Sequence, residues 1–176
     1  MNRRSQGGGS DAILDFADRL RNSRKAQPEE QRTFENWVVF SVSGRALALP
    51  VSHVREILRL EQLTGVPNAP QPVAGVMNLR GHVLPVVDTH VLLGLPHSPV
   101  TDASRVLIFL LNNRSIGLVV DDVTGLEKLQ VELVQTVAQG EPLASLSKGV
   151  FPRGDDQPLL LLNPVRLLTG DHLAPN

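Results

Sequence analysis

The sequence predicts a mainly β protein built as two pseudo-repeated lobes, and three observations predict it. A hairpin pattern occurs twice: "WVVFSV", the turn pair Ser43-Gly44 and "RALAL", then "RVLIFLL", Asn112-Asn113 and "SIGLVV". Setting Val38 against Leu107, an offset of 107 − 38 = 69, aligns "VVFSVSGRALALPVSHVREI" with "LIFLLNNRSIGLVVDDVTGL" without a gap. Five of the twenty pairs are identical: Phe40/Phe109, Arg45/Arg114, Leu49/Leu118, Val51/Val120 and Val54/Val123. A strand running into a helix cap also occurs twice, as "VLPVVDTHVLL" with Asp88 and "PLLLLNPVRLL" with Asn163, and each lies downstream of a Gly-Val pair, Gly75-Val76 and Gly149-Val150. The correspondences fall in one order, which implies an internal duplication. Each lobe would hold a hairpin, further strands and a short helix, and would close as a barrel because closure removes exposed strand edges.

Taken in order, residues 1–34 read as a mobile extension that opens on a Gly-rich polar stretch. Within it, "SDAILDFADRLRNSRKA" predicts a helix over about residues 11–25. Ser10 caps it, and Ile13, Phe16, Ala17 and Leu20 recur at helical spacing. A linker around Pro28 ends that helix. From Trp37 the texture changes to short β-rich runs, and the body is expected over 35–172, with lobes of roughly 37–100 and 101–172 that can exchange segments, and a tail at 173–176.

Composition restricts the function. Hydrophobic residues make up 41% of the 176 residues and aromatics only 3%, so the core must be Val, Leu and Ile. A net charge of −1 supplies no field toward nucleic acid or anionic membrane. Sparse aromatics leave no base-stacking platform. The absence of Cys removes disulfides, thiolate metal sites and Cys nucleophiles. No apolar run approaches the ~20 residues that span a bilayer, and the paired Arg near the start precede no long apolar stretch, so a soluble cytoplasmic protein without an export signal is expected.

Catalytic constellations are missing: there is no G-x-S-x-G, Walker A loop, H-E-x-x-H or dinucleotide fingerprint. His53, His82, His90, His97 and His172 show no ligand-like spacing; surface or turn positions are expected for His82 and His90, and neither metal nor cofactor is expected. Asp121-Asp122 follows a strand, where neighbours point to opposite faces, so a turn or capping role is assigned. These residues describe a binding module rather than an enzyme.

One segment calls for presentation to a partner. In "VAGVMNLRGHVLPVVDTHVLLGL", Asn78, Leu79, Arg80 and Gly81 interrupt two apolar runs. A guanidinium cannot be buried unpaired, so Arg80 must be paired or near water. Asn78 and Gly81 suit a turn that projects Arg80 from a fixed backbone. A structural turn residue, like Arg153 in its own Gly-containing turn, is the alternative reading.

"VSHVREIL", "TGVPNAPQPVAGVMNLRGHVLPVVDTHVLLGL", "RVLIFLLNNRSIGLVVDDVTGLEKL" and the closing "SKGVFPRGDDQPLLLLNPVRLL" together resemble the CheW family of chemosensory coupling proteins, from about Trp37 to Leu168. The resemblance implies two five-stranded SH3-like β-barrel lobes with short helices. It also implies a non-catalytic adaptor joining the cytoplasmic tips of methyl-accepting chemoreceptors to the regulatory domain of a CheA-type histidine kinase, associated with membrane-bound receptor arrays but not inserted in the bilayer. Val54 and Glu56 match its receptor-contacting Val-x-Glu-Ile positions, Arg80 matches the Arg of its Asn-Leu-Arg-Gly turn, and Asn78 and Gly81 match the turn's shaping residues. Val54 is also open to an ordinary core role, since Val123 is its counterpart. The kinase surface is expected only loosely, on the first lobe. After Val-Val-Asp the chain carries Thr89-His90 where the family usually has Leu-Arg. The long N-terminal extension is similar to the type IV pilus-associated CheW-like proteins, which makes a pilus or other alternative chemosensory pathway the second reading. A small-molecule binder or enzyme using an interlobe cleft is the third.

Overall fold

The structure, a computed structural model, describes residues 32–154 and 156–169; the expected helix over residues 11–25 lies outside them. Ten strands follow: β1 (Phe34–Val42), β2 (Arg45–Pro50), β3 (Val54–Arg59), β4 (Val73–Leu79), β5 (His82–Asp88), β6 (Arg105–Leu111), β7 (Arg114–Val120), β8 (Asp122–Gln130), β9 (Ser147–Phe151) and β10 (Leu159–Leu162). Two short helices, α1 (Thr89–Leu93) and α2 (Pro164–Thr169), complete the described elements together with three single-turn 3-10 segments. None of the described helices is long and apolar enough to cross a membrane.

The strands form two five-stranded sheets, in the orders β8-β1-β2-β10-β9 and β3-β6-β7-β5-β4. Replacing each strand of the first order by its counterpart five places along the chain gives the second, so the duplication is a property of the fold. The sheets do not divide at residue 100. Each takes a hairpin from one repeat and three strands from the other, joined by parallel pairing of β10 with β2 and of β5 with β7. The crossing follows each hairpin directly: the 3-10 turn Val51–His53 leads from β2 to β3, and Asp121 from β7 to β8, each the edge strand of the other hairpin's sheet.

The hairpin turns form where the turn pairs predict them. Ser43 and Gly44 have φ of 51° and 70°, Asn112 and Asn113 of 48° and 64°, the paired positive values of a tight primed turn. Alternation along β1 and β6 then sends side chains to two cores. Val38, Phe40 and Val42 join Leu107 and Phe109 in a core shared between the sheets, with Leu92 and Leu93 of α1 and Leu167 of α2. Trp37 and Val39 face the interior of the first sheet with Leu129, Leu159 and Leu161, while Val106 and Ile108 face that of the second with Leu84 and Val86. Four of the five identical pairs lie in or against the shared core: Phe40/Phe109, Leu49/Leu118, Val51/Val120 and Val54/Val123. The repeat stays legible where its two copies pack on each other.

The twin Gly-Val pairs close the sheets. Thr64, beyond β3, exchanges two 2.9 Å backbone hydrogen bonds with Val76 of β4, and Gln135, beyond β8, exchanges bonds of 2.8 and 2.9 Å with Val150 of β9. A Cβ at Gly75 would come within 2.7 Å of the Thr64 carbonyl oxygen, and one at Gly149 within 2.8 Å of the Gln135 carbonyl oxygen. Only glycine lets the backbones approach so closely. Both helices start on their predicted caps: Asp88 Oδ1 accepts from the His90 backbone N–H at 2.9 Å, and Asn163 Oδ1 from those of Val165 and Arg166 at 3.0 and 3.2 Å.

Candidate functional site: the Arg80 turn and the outer face of β3

β3 and β4 occupy opposite edges of their sheet, so residues on them meet only because the sheet curls round. Arg80 and Gly81 are the two central residues of the turn joining β4 to β5, with φ of 53° and 85°. Asn78 Oδ1 accepts the Gly81 backbone N–H at 2.8 Å and fixes that turn. Gly81 takes positive φ freely. Arg80 does not, since a left-handed conformation costs an L-residue about 1–2 kcal/mol. The site therefore holds its cation on a conformation the residue would not choose.

From there the guanidinium reaches across the closure, its Nη2 donating to Glu56 Oε2 at 3.0 Å. The Arg80 side chain is 72% exposed and that of Glu56 only 22%. An exposed pair of this kind contributes about 0–1 kcal/mol, too little to be its reason for existing. What it does is orient Arg80 with most of its N–H donors still facing water.

The sequence-predicted residues thus divide. Glu56 and Arg80 are brought together, Asn78 and Gly81 shape the turn, and Val54 does not join them at the surface: it is half-buried and packs against the shared core. Register slips between Val54 and Glu56, whose partners on β6 are the consecutive residues Phe109 and Ile108. Ile57 is exposed on β3 at 40%, between the exposed Arg55 and Arg59, and alternation along the strand turns it to the face opposite Glu56. Sequence reasoning passed over Ile57. Alternation in "VREILR" carried the signal, because a strand with one face on the core must turn every second residue outward. The outer face of β3 offers two cations and an apolar side chain, and the Arg80–Glu56 pair across the closure adds a third cation and a carboxylate. The described side chains of this site are ones that make ion pairs, hydrogen bonds and apolar contacts.

One expectation is corrected elsewhere on the chain. His90 is not at the surface but 3% exposed, and it meets Asp88, Asp121 and His97 rather than His82, which sits at the opposite end of β5. Asp88, His90 and His97 are the described residues whose donor atoms could surround a metal ion.

The described residues define a class of protein by their fold, a duplicated β module of ten strands in two five-stranded sheets. Comparison with known proteins gives the family. The model of the CheW-like domain matches residues 36–172, and the chain belongs to that family. It is 31% identical to the protein PilI of Pseudomonas aeruginosa over 156 residues, covering 86% of each chain. It is 32% identical to the chemotaxis protein CheW of Bacillus subtilis over 111 residues, covering 63% of this chain and 71% of that one. Among solved structures, the scaffolding protein TtCheW of Thermoanaerobacter tengcongensis matches in fold with a TM-score of 0.72 at 21% identity, covering 82% of this chain and 94% of that one. The chain is a CheW-like adaptor of chemotaxis or of an alternative chemosensory pathway, in a family of non-catalytic scaffolds.

Proposed function

We propose that this adaptor couples the cytoplasmic tips of methyl-accepting receptors to the regulatory domain of a CheA-type histidine kinase, and that the Arg80–Glu56 corner with the outer face of β3 is its receptor surface. The presentation of Arg80 carries the reading: a strained, hydrogen-bonded turn and a carboxylate across the sheet closure hold a 72% exposed guanidinium in one place. A receptor helix with carboxylates or free carbonyls fits such a donor, which makes directed hydrogen bonds. Ile57 adds an apolar contact flanked by Arg55 and Arg59. Val54 supports the strand from below. The protein acts without catalysis, in the cytoplasm, at receptor arrays.

The test compares wild type with Arg80→Ala and Ile57→Ser in thermal stability, kinase pull-down and receptor-dependent kinase activation. Both variants should melt close to wild type and retain the kinase while losing receptor coupling. Full coupling by Arg80→Ala would reduce Arg80 to a solvated turn residue.

A second reading, an adaptor of a type IV pilus-type pathway, is favoured by the reach of one alignment. Residues 36–172 are 172 − 36 + 1 = 137 of the 176, about 78% of the chain, whereas the similarity to PilI covers 86%. Part of the N-terminal extension is therefore shared with PilI. The full chain and residues 34–176 would each be expressed in cells lacking a flagellar or a pilus-type adaptor. Restoration of twitching by the full chain alone would select this reading, and restoration of swimming by both would select the first.

A further inference from the structure

Away from the Arg80 turn, four ionisable side chains from three segments converge at the N-terminus of α1. Asp88 ends β5, His90 lies in α1, His97 in the connection from α1 to β6, and Asp121 between β7 and β8. His90 Nδ1 is 3.0 Å from Asp88 Oδ1 and His97 Nδ1 is 3.3 Å from Asp88 Oδ2, so both rings point a nitrogen at one carboxylate. The donor atoms of Asp88, His90 and His97 all lie within 4.8 Å of one another.

We propose that Asp88, His90 and His97 form a binding site for a borderline divalent transition-metal ion, with zinc as its best match. This goes beyond the adaptor function, which needs no metal. A tetrahedral ion with ligands at about 2.0–2.2 Å places neighbouring donors roughly 3.3–3.6 Å apart. The contacts to Asp88, 3.0 Å to one oxygen and 3.3 Å to the other, bring each ring nitrogen near that spacing from the carboxylate. The remaining adjustment falls on His97, whose side chain is 67% exposed on a connecting segment and whose exposure also gives the ion an entry path.

An independent observation lies behind His90. Its Nε2 is buried, and Asp121 Oδ1 approaches it to 2.9 Å without lining up as a hydrogen bond. Asp121 is itself anchored, its Oδ2 accepting the Ser43 backbone N–H at 2.7 Å. A carboxylate behind the far nitrogen is the usual outer partner of a metal-ligating histidine, where it fixes the tautomer and raises the basicity of the ligating nitrogen. Binding would release any proton carried on the two Nδ1 atoms and set one dication against the two carboxylates. Two imidazoles and one carboxylate suit zinc, cobalt(II) or nickel(II); magnesium and calcium prefer oxygen. Once bound, the ion would pin the α1–β6 connection to the end of β5, next to the shared core.

The experiment uses untagged, chelator-stripped full-length protein, titrated with Zn2+ by calorimetry and with Co2+ by visible absorption, alongside His97→Ala, Asp121→Asn and His82→Ala. We expect one equivalent of Zn2+, a Co2+ spectrum of nitrogen and oxygen ligation, and a melting temperature that rises with zinc. His97→Ala, an exposed change that leaves the fold intact, should weaken binding at least about tenfold, Asp121→Asn about 10–100-fold, and His82→Ala not at all. A wild type that binds no zinc would overturn the proposal, leaving His90 as a buried ring held between two carboxylates. Equal binding by His97→Ala, or displacement of zinc by equimolar magnesium, would overturn it as well.

Discussion

The turn after β4 and the connection after β9 are counterparts, and they use the same pair of residue types differently. Arg80 occupies a two-residue turn at positive φ and meets Glu56 while remaining 72% exposed. Arg153 lies in the seven-residue connection 152–158, pairs with Glu127 of β8, and is only 20% exposed. Both pairs bridge opposite edges of a sheet. The difference teaches that closure and presentation are separable. A long connection lets its arginine fold down onto the partner and serve the structure, whereas a tight turn cannot collapse and leaves its arginine in water. Duplication supplied two equivalent corners, and the length of one connection left only the first with its arginine exposed.

The largest effect that would break this symmetry lies at the closure beneath both corners. Gly75→Ala should cost about 1–3 kcal/mol through overpacking, because its Cβ meets a backbone carbonyl oxygen at 2.7 Å from a residue at φ 155°. Gly149→Ala should cost nearly as much, its Cβ meeting a carbonyl oxygen at 2.8 Å and a Val134 methyl at 2.4 Å. Denaturant melts of the two variants decide it, and an unchanged midpoint for either would mean that the bridge at that corner yields without loss.

Next comes the internal pair. Arg153→Ala should lower stability by about 1–2 kcal/mol, the range for a lost hydrogen bond to a charged group that is mostly shielded, with receptor coupling retained. Asn78→Ala should cost about 1 kcal/mol by removing the hydrogen bond to the Gly81 backbone. It should also weaken coupling without touching the Arg80 side chain, because the turn that aims it loosens.

The smallest stability effect is expected at Arg80 itself. Arg80→Ala should lose less than about 1 kcal/mol. Arg80→Gly sharpens the test: relief of left-handed strain, about 1–2 kcal/mol, is offset by the greater unfolded-state freedom of glycine, about 0.5–1 kcal/mol. Its melting point should match or slightly exceed that of wild type while receptor coupling is lost. If coupling survives in a variant with the turn intact and the guanidinium gone, the presentation of Arg80 has no role.

Local chemistry made much of this legible in the sequence. Ser43-Gly44 and Asn112-Asn113 specify tight turns by their tolerance of positive φ, Asp88 and Asn163 specify helix starts, and alternating apolar residues specify strands whichever sheet receives them. Asn78 and Gly81 announced the Arg80 turn for the same reason. Three things were decided only by the tertiary structure. Parallel pairing of β2 with β10 and of β5 with β7 exchanged strands between the repeats, because such pairing joins residues far apart in sequence. Which face of β3 met the shared core, and so whether Val54 was supporting or exposed, was set by the packing of the other sheet against it. His90 was drawn from an expected surface position into a buried cluster with its chain neighbours Asp88 and His97, because folding set the remote Asp121 behind its ring and packed the helix against the core. Sequence determines which conformations each short segment accepts, but burial and ionic contact depend on what packs across from it, and that is set only when the sheets close.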